Sequence, residues 1–484
     1  MLNRRTFLRY GGMAAAAFYA DAFATQPSYP AFQQIIRRGA SRKIAILGAG
    51  LAGLVAGYEL SKAGHEVTIL EAQLRPGGRV HTLREPFSDG MYAEAGAGRI
   101  PSTHLITRKY VKDFGLKLEP FWPDKLADVY YLRGERVKVP RGSNPDMAKI
   151  PLQLSREERS LENFAALEDK YIGKAMREAG EVAPEEYPPE RLKAYDQTTI
   201  AEFLRQQGAS ADVTRFLLQG FEDDSALDFF RDNWSHSFPL SKIIGGNDLL
   251  PRAFATKLAA NIRYGAQVIR IENSSNAAKV IFKQAGAHQV LSADQIICAI
   301  PFSVLRHIEL PADFSSAKRA AIQQMNYGAV TRVYLQSRRK FWEDDGCNGY
   351  ATPDLPMEIW SPTFSQPGRR GIIMSYIYED LARTVGAMTP QGRIDDFLEL
   401  TEKIFPGMRE NFEGGTSYSW EQDPFQRGAF SLFKRGELLR FLPAAKQPEG
   451  RIHFAGEHTS PWPGWMQGAL HSGLRAAQEV NGAT

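Results

Sequence analysis

The feature that most constrains the fold is a glycine-rich turn between a short apolar segment and a helical one. Residues Lys43–Leu47 form an apolar run typical of a buried strand, and Gly-Ala-Gly-Leu-Ala-Gly follows directly at 48–53. A helical pattern then continues to Gly64, and a second strand-like run spans 66–71. This order of strand, turn, helix and strand is typical of the βαβ unit that binds the diphosphate of a dinucleotide.

The residues of this unit meet separate physical needs. Gly48 permits the tight turn, Gly50 lets the backbone approach a diphosphate, and Gly53 lets the helix pack closely on the strand. The free N–H groups at the start of the helix favour phosphate oxygens. Glu71, at the end of the second strand, is placed to accept a hydrogen bond from a ribose hydroxyl. The predicted dinucleotide contacts here are Gly48, Gly50, Leu51, Ala52, Gly53, Glu71 and Ala72.

Composition excludes several other classes of protein. A chain of 484 residues is too long for one small domain, and 43% hydrophobic with 24% charged residues is typical of globular proteins. The net charge of +4 is small and no nucleic-acid-binding motif occurs, so no nucleic-acid partner is predicted. Cys298 and Cys347 lack metal-ligand spacing and are too few for a disulfide scaffold. They predict two buried free thiols and no metal site.

The N-terminus predicts an export signal. Arg4 and Arg5 precede an apolar, alanine-rich run over residues 11–20, and small residues at alternate positions follow as far as Ala24. This resembles a twin-arginine signal over residues 1–24, so the mature protein is expected to be periplasmic or secreted. The apolar run is shorter than the roughly 20 residues that cross a bilayer, and no membrane anchor is predicted.

The rest of the chain alternates between helical and strand-like segments. Residues 155–219 are rich in charge with helical spacing, and prolines interrupt them. Strand-like runs return at 267–271, 279–282 and 295–299, and a last strand at 451–455 precedes a predicted helix at 468–480. This predicts an α/β domain built from non-contiguous segments, with other domains inserted in it.

Several separated motifs resemble one family of flavoenzymes. A glycine pair and a cation occur in Arg75–Thr82, Gly-Glu occurs in Ala455–Thr459, and Gly245–Pro251 and Cys298–Pro301 fit the same family. With the βαβ unit, they make the chain resemble the flavin-containing amine oxidoreductases of the L-amino acid oxidase type, from Lys43 to Asn481.

The resemblance implies a Rossmann-like, FAD-binding α/β domain of the amine-oxidase type. A mixed-sheet substrate domain and an inserted helical domain would interrupt it. The predicted segments are 42–100, 240–315 and 446–484 for the FAD-binding domain, 101–125 and 316–445 for the substrate domain, and 126–239 for the mainly helical domain. The resemblance admits a homodimer, and the residues leave the oligomeric state open.

The resemblance also assigns roles in holding FAD. Glu71 would bind the adenosine ribose, Arg79 the diphosphate, Val268 the adenine through its backbone, and Glu457 the ribityl-diphosphate region. No cysteine lies between Pro461 and Gln467, where some relatives attach the flavin covalently, so noncovalent FAD is expected. Further predicted FAD contacts are Gly78, Gly96, Ala97, Gly98, Arg99, Gly456, Trp465 and Met466.

Arg99 is the residue that separates amino acids from amines as substrates. It lies in Glu94–Pro101, a segment that resembles the one with which L-amino acid oxidases place an arginine beside the flavin. A planar guanidinium can hold a carboxylate with two parallel hydrogen bonds. A simple amine would leave this arginine unpaired in a partly dry pocket. The alternative is that Arg99 forms an ion pair within its own domain.

The resemblance implies further substrate contacts. The Gly464 carbonyl would accept a hydrogen bond from the substrate amine, Trp465 would flank the reacting carbon, and Trp360 lies near the position of a carboxylate-binding tyrosine. Phe430 borders the side-chain pocket in relatives, and Phe430 and Trp462 face either the substrate or the core. Arg332 stands where the family has a lysine that is bonded through water to flavin N5. Arginine is not an interchangeable donor there.

The implied reaction is oxidative deamination of an L-amino acid with a large apolar or aromatic side chain. A hydride passes from Cα to flavin N5, the imino acid hydrolyses to a 2-oxo acid and ammonia, and dioxygen is reduced to hydrogen peroxide. Four alternatives stay open: a primary-amine or polyamine oxidase, an amino-acid 2-monooxygenase, a flavin dehydrogenase with another acceptor, and a non-catalytic FAD-binding module.

Two polar features of the predicted insert have both a functional and a structural interpretation. His236 could deprotonate an ammonium substrate, although a lone histidine is more often structural. The acidic cluster Glu222–Asp224, with Asp228 and Asp232, could bind a cationic side chain. A solvated helix start is the favoured interpretation of this cluster.

Overall fold

The computed structural model describes residues 34–37, 39–179, 187–235, 239–274 and 277–483. The predicted export signal at 1–24 and His236 therefore lie outside the described residues. Within the described ranges, no helix combines the length and the apolarity needed to cross a bilayer.

The predicted βαβ unit forms the centre of a parallel sheet. Residues in the strand Lys43–Leu47 alternate between two apolar cores, since Ile44 and Ile46 face one and Ala45 and Leu47 face the other. Burial on both faces explains the continuous apolar run in the sequence. The five parallel strands lie in the order Ile262–Arg263, Glu66–Leu70, Lys43–Leu47, Gln295–Cys298 and Ile452–Phe454.

Two helices cover one face of this sheet. The helix Leu51–Lys62 follows the glycine turn and packs against the C-terminal helix Met466–Gly482. The C-terminal helix was predicted at 468–480 and extends two residues beyond that range at each end. Cys298 ends one of the parallel strands, and both it and Cys347 are buried and free, as predicted.

A seven-stranded mixed sheet forms the second layer. Its strands lie in the order Phe412–Ser419, Val330–Ser337, Gly371–Tyr378, Met357–Trp360, Cys347–Pro353, Ala127–Leu132 and Glu135–Pro140. All neighbours are antiparallel except Cys347–Pro353 and Ala127–Leu132, which run parallel. The predicted α/β fold with a parallel sheet and a mixed-sheet domain is confirmed.

The strand pairing differs from the domain division predicted from the sequence at one boundary. Ala127–Leu132 and Glu135–Pro140 fall in the segment 126–239 that was predicted as mainly helical, yet they form a hairpin at the edge of the mixed sheet. Arg133 and Gly134 join the two strands with positive φ angles of 50° and 80°. Two such residues form the tight turn that matches the twist of a hairpin. The helices of this segment begin only at Met147.

The helical unit packs around an apolar core that it shares with the edge hairpin of the mixed sheet, which contributes Tyr130, Leu132 and Val139. Glu158 is fully buried there and accepts a hydrogen bond of 2.8 Å from the Tyr171 hydroxyl. Its helices are Met147–Lys149, Arg156–Arg159, Phe164–Glu168, Asp169–Gly173, Lys174–Ala179, Glu190–Gln197, Ile200–Gln206, Ala211–Leu218 and Ala226–Ser235.

Smaller sheets and helices connect the layers. The strands are Gln267–Asn273 with Ala278–Gln284 and Ala287–Ala293, Ile100–Pro101 with Leu240–Ile243 and Leu118–Pro120, Thr82–Leu83 with Ala93–Glu94, and Asn326–Gly328 with Phe430–Leu432. The helices are Leu105–Asp113, Leu249–Lys257, Phe302–Leu305, Ser316–Gln324, Phe341–Glu343, Glu379–Ala387, Pro390–Ile404, Met408–Asn411, Leu438–Lys446 and Glu457–Thr459.

Candidate active site

A cavity of about 330 Å³ lies where the carboxyl edge of the parallel sheet meets the mixed sheet. Residues just beyond the ends of four parallel strands line it: Gly48, Glu71, Ala299 and Gly456. The carboxyl edge is where α/β sheets of this kind bind ligands. Other predicted cofactor residues on the wall are Gly50, Leu51, Ala52, Ala72, Gly78, Arg79, Gly96, Ala97, Gly98, Val268, Glu457 and Met466. Predicted substrate residues on the wall are Arg99, Arg332, Trp360, Phe430, Gly464 and Trp465.

The glycine turn has the shape that a diphosphate requires. A Cβ atom added to Gly50 would meet no protein atom within 4 Å, so this backbone faces open space at the cavity wall. Gly53 does not line the cavity, and a Cβ there would lie 2.0 Å from the Gly48 carbonyl oxygen. Gly50 therefore leaves room for a ligand, while Gly53 leaves room for the strand beneath the helix.

Glu71 closes the same end of the cavity. One carboxylate oxygen accepts the Ala49 N–H at 2.7 Å and the other accepts the Gln73 N–H at 2.8 Å. Burial raises the pKa of Glu71, and these backbone hydrogen bonds oppose that rise. The carboxylate is thus fixed beside the glycine turn, where a ribose hydroxyl would meet it.

Arg79 and Glu457 join the two distant FAD motifs of the sequence. Arg79 Nη1 lies 2.7 Å from Glu457 Oε1 and donates to the Ala429 carbonyl at 3.1 Å. Burial alone would raise the pKa of Glu457, but Arg79 and His458 lower it below its ordinary value. Glu457 also accepts the Gly464 N–H at 2.8 Å, so the cation, the carboxylate and the predicted substrate loop form one connected group.

One face of the mixed sheet supplies the other end of the cavity. Glu358 and Trp360 are two residues apart on one strand, and Tyr376 is the neighbour of Glu358 on the next strand. Alternate residues of a strand face the same side, so these side chains share one face. Arg332, on the adjoining strand, places its guanidinium 4.3 Å from the ring centre of Tyr376.

Arg99 lies within a cluster of aromatic rings. Its guanidinium carbon is 5.1 Å from the ring centre of Phe121, 5.2 Å from that of Trp122 and 5.1 Å from that of Trp360. Cations are attracted to aromatic faces at such distances. The side chain is 9% exposed and lines the cavity.

Arg99 is already paired with a carboxylate. Its Nη2 donates to Glu358 Oε2, and Glu358 Oε1 accepts the Tyr378 hydroxyl at 3.1 Å. Burial alone would lower the pKa of Arg99, but Glu358 raises it above its ordinary value. The expectation that an amine substrate would leave Arg99 unpaired is therefore wrong, because Glu358 partners it without any ligand.

Arg332 has a different environment. Its Nη1 donates to the Glu94 carbonyl at 2.6 Å, and its Nε is buried without a hydrogen-bond partner among the described residues. The side chain is 4% exposed, faces the cavity and makes no ion pair within the described parts of the chain. The water-mediated contact of Arg332 with flavin N5, which the resemblance implies, stays a prediction.

The loop before the C-terminal helix brings the remaining predicted substrate residues together. Gly464 has a φ of 72°, and a Cβ on it would lie 3.4 Å from the Phe430 ring. Gly464, Trp465 and Phe430 all line the cavity. Trp462 does not, because its ring packs against His471 at 4.9 Å. Of the two aromatic candidates, Phe430 is the one that faces the cavity.

Two members of the predicted acidic cluster, Asp224 and Asp228, are buried, whereas Asp223 is exposed. Asp224 and Asp228 are each 4% exposed. Asp224 pairs with Lys434 at 2.7 Å, and Asp228 pairs with the fully buried Arg231. Burial raises the pKa of Asp224 well above its ordinary value and that of Asp228 to about 6. The interpretation as a solvated helix start was wrong for Asp224 and Asp228, because these two side chains are buried and ion-paired.

Sequence reasoning missed two residues of the site: Tyr376, which lines the cavity, and Glu358, which pairs with Arg99. A signal for Glu358 was present, since Met357–Trp360 is an apolar strand interrupted by one carboxylate, and such a residue needs a buried cation. The motif Gly245–Pro251 has an indirect role: Asn247 donates to the Ala97 carbonyl at 2.8 Å and so supports the loop before Arg99. Within the described ranges, no group of acidic, histidine and cysteine side chains could hold a metal ion.

Glu94 supports the same loop and yields a prediction about stability. Its carboxylate accepts the Asn247 N–H and the Thr82 hydroxyl, and burial raises its pKa from 4.5 to about 7. An acid whose folded pKa exceeds its unfolded value destabilises the fold when it ionises. This cost therefore grows as the pH rises from 4.5 to about 7 and is constant above that.

Glu94→Gln removes the ionisation and keeps the shape of the side chain. We expect the variant to exceed the wild type in stability by about 3 kcal/mol at pH 8, and by almost nothing near pH 4.5. Thermal unfolding midpoints of both proteins, measured at the two pH values, check this. Equal midpoints at pH 8 would contradict it.

The fold and the cavity define a dinucleotide-binding protein with a second domain over the ligand site. The family profile "Flavin containing amine oxidoreductase" matches residues 51–481. The chain is 33% identical over 471 residues to YobN of Bacillus subtilis (strain 168), a provisionally named L-amino-acid oxidase, covering 93% of this chain and 97% of that protein. It is 30% identical over 482 residues to the L-amino-acid oxidase of Vipera ammodytes ammodytes, covering 95% and 98%. The chain therefore belongs to the flavin-containing amine oxidoreductase family.

Solved structures share the fold. Putrescine oxidase bound to putrescine superposes with a TM-score of 0.78 at 22% identity, covering 91% of this chain and 99% of that one. Cyclohexylamine oxidase from Brevibacterium oxydans IH-35A gives a TM-score of 0.77 at 22% identity, with the same coverage. Membership of the family implies an FAD-dependent amine or amino-acid oxidase, and the open space at Gly50 with the fixed Glu71 fits that cofactor.

Proposed function

We propose that this protein is an L-amino acid oxidase that converts amino acids with large apolar or aromatic side chains to 2-oxo acids, ammonia and hydrogen peroxide. The observation that carries the proposal is the position of Arg99. It lies among aromatic rings on the wall of the same cavity that Gly464 and Trp465 line. A guanidinium in such a place binds a carboxylate.

Arg99 keeps donors for a substrate although it is paired. A guanidinium can bind a carboxylate through either of two edges, and each edge uses one of the two hydrogens on Nη2. Glu358 takes a single hydrogen bond from Nη2, and the structure gives no other hydrogen bond from Arg99 among the described residues. One bidentate edge therefore stays open for the carboxylate of an amino acid.

The other walls position the rest of the substrate. The Gly464 carbonyl would accept a hydrogen bond from the amine, and Phe430, Trp360 and Trp465 give the side chain apolar surfaces. Fixing the carboxylate and the amine holds Cα in one orientation, and this positioning supplies much of the rate. FAD held at the glycine turn and Glu71 would supply the acceptor for a hydride equivalent from Cα and a route for the electrons to dioxygen.

We also propose that FAD is held without a covalent bond to cysteine. Neither Cys298 nor Cys347 lines the cavity. Burial raises the pKa of Cys298 to about 12 and that of Cys347 to about 11, so neither forms a thiolate readily. Denaturation in acid should release all the flavin into the supernatant.

An amine oxidase is the second candidate, and one observation favours it. Because Glu358 neutralises Arg99, a substrate without a carboxylate leaves no unpaired cation at this position. Under this alternative the enzyme oxidises the amine that matches an amino acid at least as well as the amino acid itself.

Product analysis of the holoenzyme with L-phenylalanine in air tests the proposal. We expect equal amounts of phenylpyruvate, ammonia and hydrogen peroxide. A carboxamide product would indicate a 2-monooxygenase. Turnover only with an added electron acceptor would indicate a dehydrogenase, and no turnover of any amino acid would contradict the proposal.

Export is a separate proposal that rests on Arg4 and Arg5. We expect replacement of both by lysine to retain the active enzyme in the cytoplasm, because the twin-arginine pathway reads this pair. Arg9→Lys, a charge-conserving change four residues further on, serves as the control and should not alter localisation. Fractionation with a flavin assay checks this, and export of the double variant at the wild-type level would contradict it.

A further inference from the structure

Glu358 lies between two cavities, and its position has consequences for the charge of ligands that the site accepts. On one side it pairs with Arg99, which lines the main cavity. On the other side it lines a smaller cavity of about 50 Å³ that shares Phe430 and Gly464 with the main one. The charged residues on the wall of the smaller cavity are all carboxylates: Glu358, Asp224, Asp228 and Asp232.

Glu358 is buried, and its carboxylate is held directly against the Arg99 guanidinium. Its side chain is 2% exposed, and the Tyr378 hydroxyl donates to the oxygen that Arg99 does not use. A buried carboxylate is costly unless a cation and hydrogen bonds satisfy it, and both are present here. The guanidinium is thereby held in one orientation, with its charge balanced before any ligand enters.

The reaction itself changes the charge on the organic ligand. A zwitterionic amino acid with no net charge, dioxygen and water yield a 2-oxo acid of charge −1, an ammonium ion of charge +1 and hydrogen peroxide. An unbalanced Arg99 would bind the anionic product more tightly than the net-neutral substrate. When Glu358 balances its charge, Arg99 can still orient a carboxylate through hydrogen bonds, and it prefers an anionic ligand over a net-neutral one less strongly.

We propose that Glu358 is a positioning residue that sets the charge selectivity of the substrate site, so that a net-neutral amino acid is held and its anionic 2-oxo acid is released. This rests on the proposed function only in naming substrate and product. The effect of Glu358 on anion binding stands on the contact with Arg99.

Benzoate and benzamide test the proposal because they share a shape and differ in charge. Their dissociation constants are measured from changes in the flavin absorbance of the holoenzyme. The wild-type constants serve as the reference, because benzamide offers the open edge of Arg99 one acceptor oxygen where benzoate offers two, and the effect of Glu358 is measured as the change in each constant.

Glu358→Gln keeps a hydrogen-bond acceptor for Arg99 and removes the charge. We expect benzoate to bind about tenfold more tightly to this variant, benzamide to change by less than about twofold, and phenylpyruvate to inhibit about tenfold more strongly. Damage to the pocket would weaken all three ligands, so the direction of the change separates a charge effect from a structural one.

Glu158→Gln is the matched control. It makes the same substitution at a buried carboxylate that also accepts a tyrosine hydroxyl, and Glu158 lines neither cavity. Its ligand constants should equal those of the wild type. Unchanged or weaker benzoate binding by Glu358→Gln would overturn the proposal, whereas absence of amino-acid turnover by the wild type would contradict only the proposed function.

Discussion

Replacement of both Arg99 and Glu358 by glutamine should lower kcat/KM for L-phenylalanine by about a thousandfold, with FAD still bound. Arg99 offers one open edge with two N–H donors to the substrate carboxylate. Each hydrogen bond to a charged group contributes about 1.5–3 kcal/mol, and a thousandfold loss corresponds to about 4 kcal/mol. Steady-state peroxide formation measures the loss.

The double variant is preferred to Arg99→Gln alone. Removal of the arginine by itself would leave Glu358 buried without its cation, and breaking a buried pair in this way costs about 3–5 kcal/mol of stability. Comparison of the double variant with Glu358→Gln isolates the contribution of Arg99. Turnover of 2-phenylethylamine serves as the internal control and should change by less than about threefold, since that amine has no carboxylate to lose.

Gly50→Val should abolish most FAD binding and leave the apoprotein folded. The backbone of Gly50 has φ −71° and ψ 173°, an extended conformation that valine adopts readily. Its side chain would point into open space at the cavity wall and occupy the volume that a diphosphate needs. We expect FAD affinity to fall by about a hundredfold, which is about 2.7 kcal/mol.

Flavin content after purification and far-ultraviolet circular dichroism together check this prediction. Gly482→Val is the control, because a Cβ at Gly482 also meets no atom within 4 Å, and this glycine is not on the cavity wall. Gly53→Ala should behave differently from both and lose folded protein, since its Cβ would lie 2.0 Å from a backbone oxygen. A Gly50→Val protein with full flavin content would show that the diphosphate binds elsewhere.

The central fold was predictable because local signals agreed there. The strand Lys43–Leu47, the glycine turn and the helix Leu51–Lys62 follow one another without interruption, and each has a strong pattern of its own. The hairpin at residues 127–140 was missed because its turn, Arg133 and Gly134, contains only one glycine and lies next to a charge-rich helical segment. Pairing in a mixed sheet depends on strands distant in sequence, which periodicity does not reveal.

Individual residues of the candidate site were predictable, but their contacts with one another were not. The family resemblance identified Arg99, Arg332 and Trp360 one by one, and all three lie on the wall of one cavity. The partner of Arg99 could not be found in this way, because Glu358 is 259 residues away and meets it only through the packing of two domains. The same long-range packing buries Asp224 against Lys434, which local charge patterns had assigned to solvent.

The pairing of Arg99 with Glu358 is compatible both with carboxylate binding and with a low net positive charge at this position. A carboxylate can still occupy the open edge of Arg99, yet the pocket carries no large excess of positive charge at that position. The protein is thus expected to recognise the carboxylate by geometry and hydrogen bonding, with the aromatic rings excluding water around it. Selection between an amino acid and an amine then depends on the two N–H donors of that edge.

The most direct measurement of the central claim is the kcat/KM of the wild-type holoenzyme for L-phenylalanine relative to 2-phenylethylamine, in air and at equal pH. The two compounds differ only in the carboxylate. If Arg99 binds that group during the reaction, the amino acid should be preferred by about a hundredfold or more, the equivalent of at least two charge-assisted hydrogen bonds of modest strength. Equal values, or a preference for the amine, would contradict the claim and assign the enzyme to the amine oxidases.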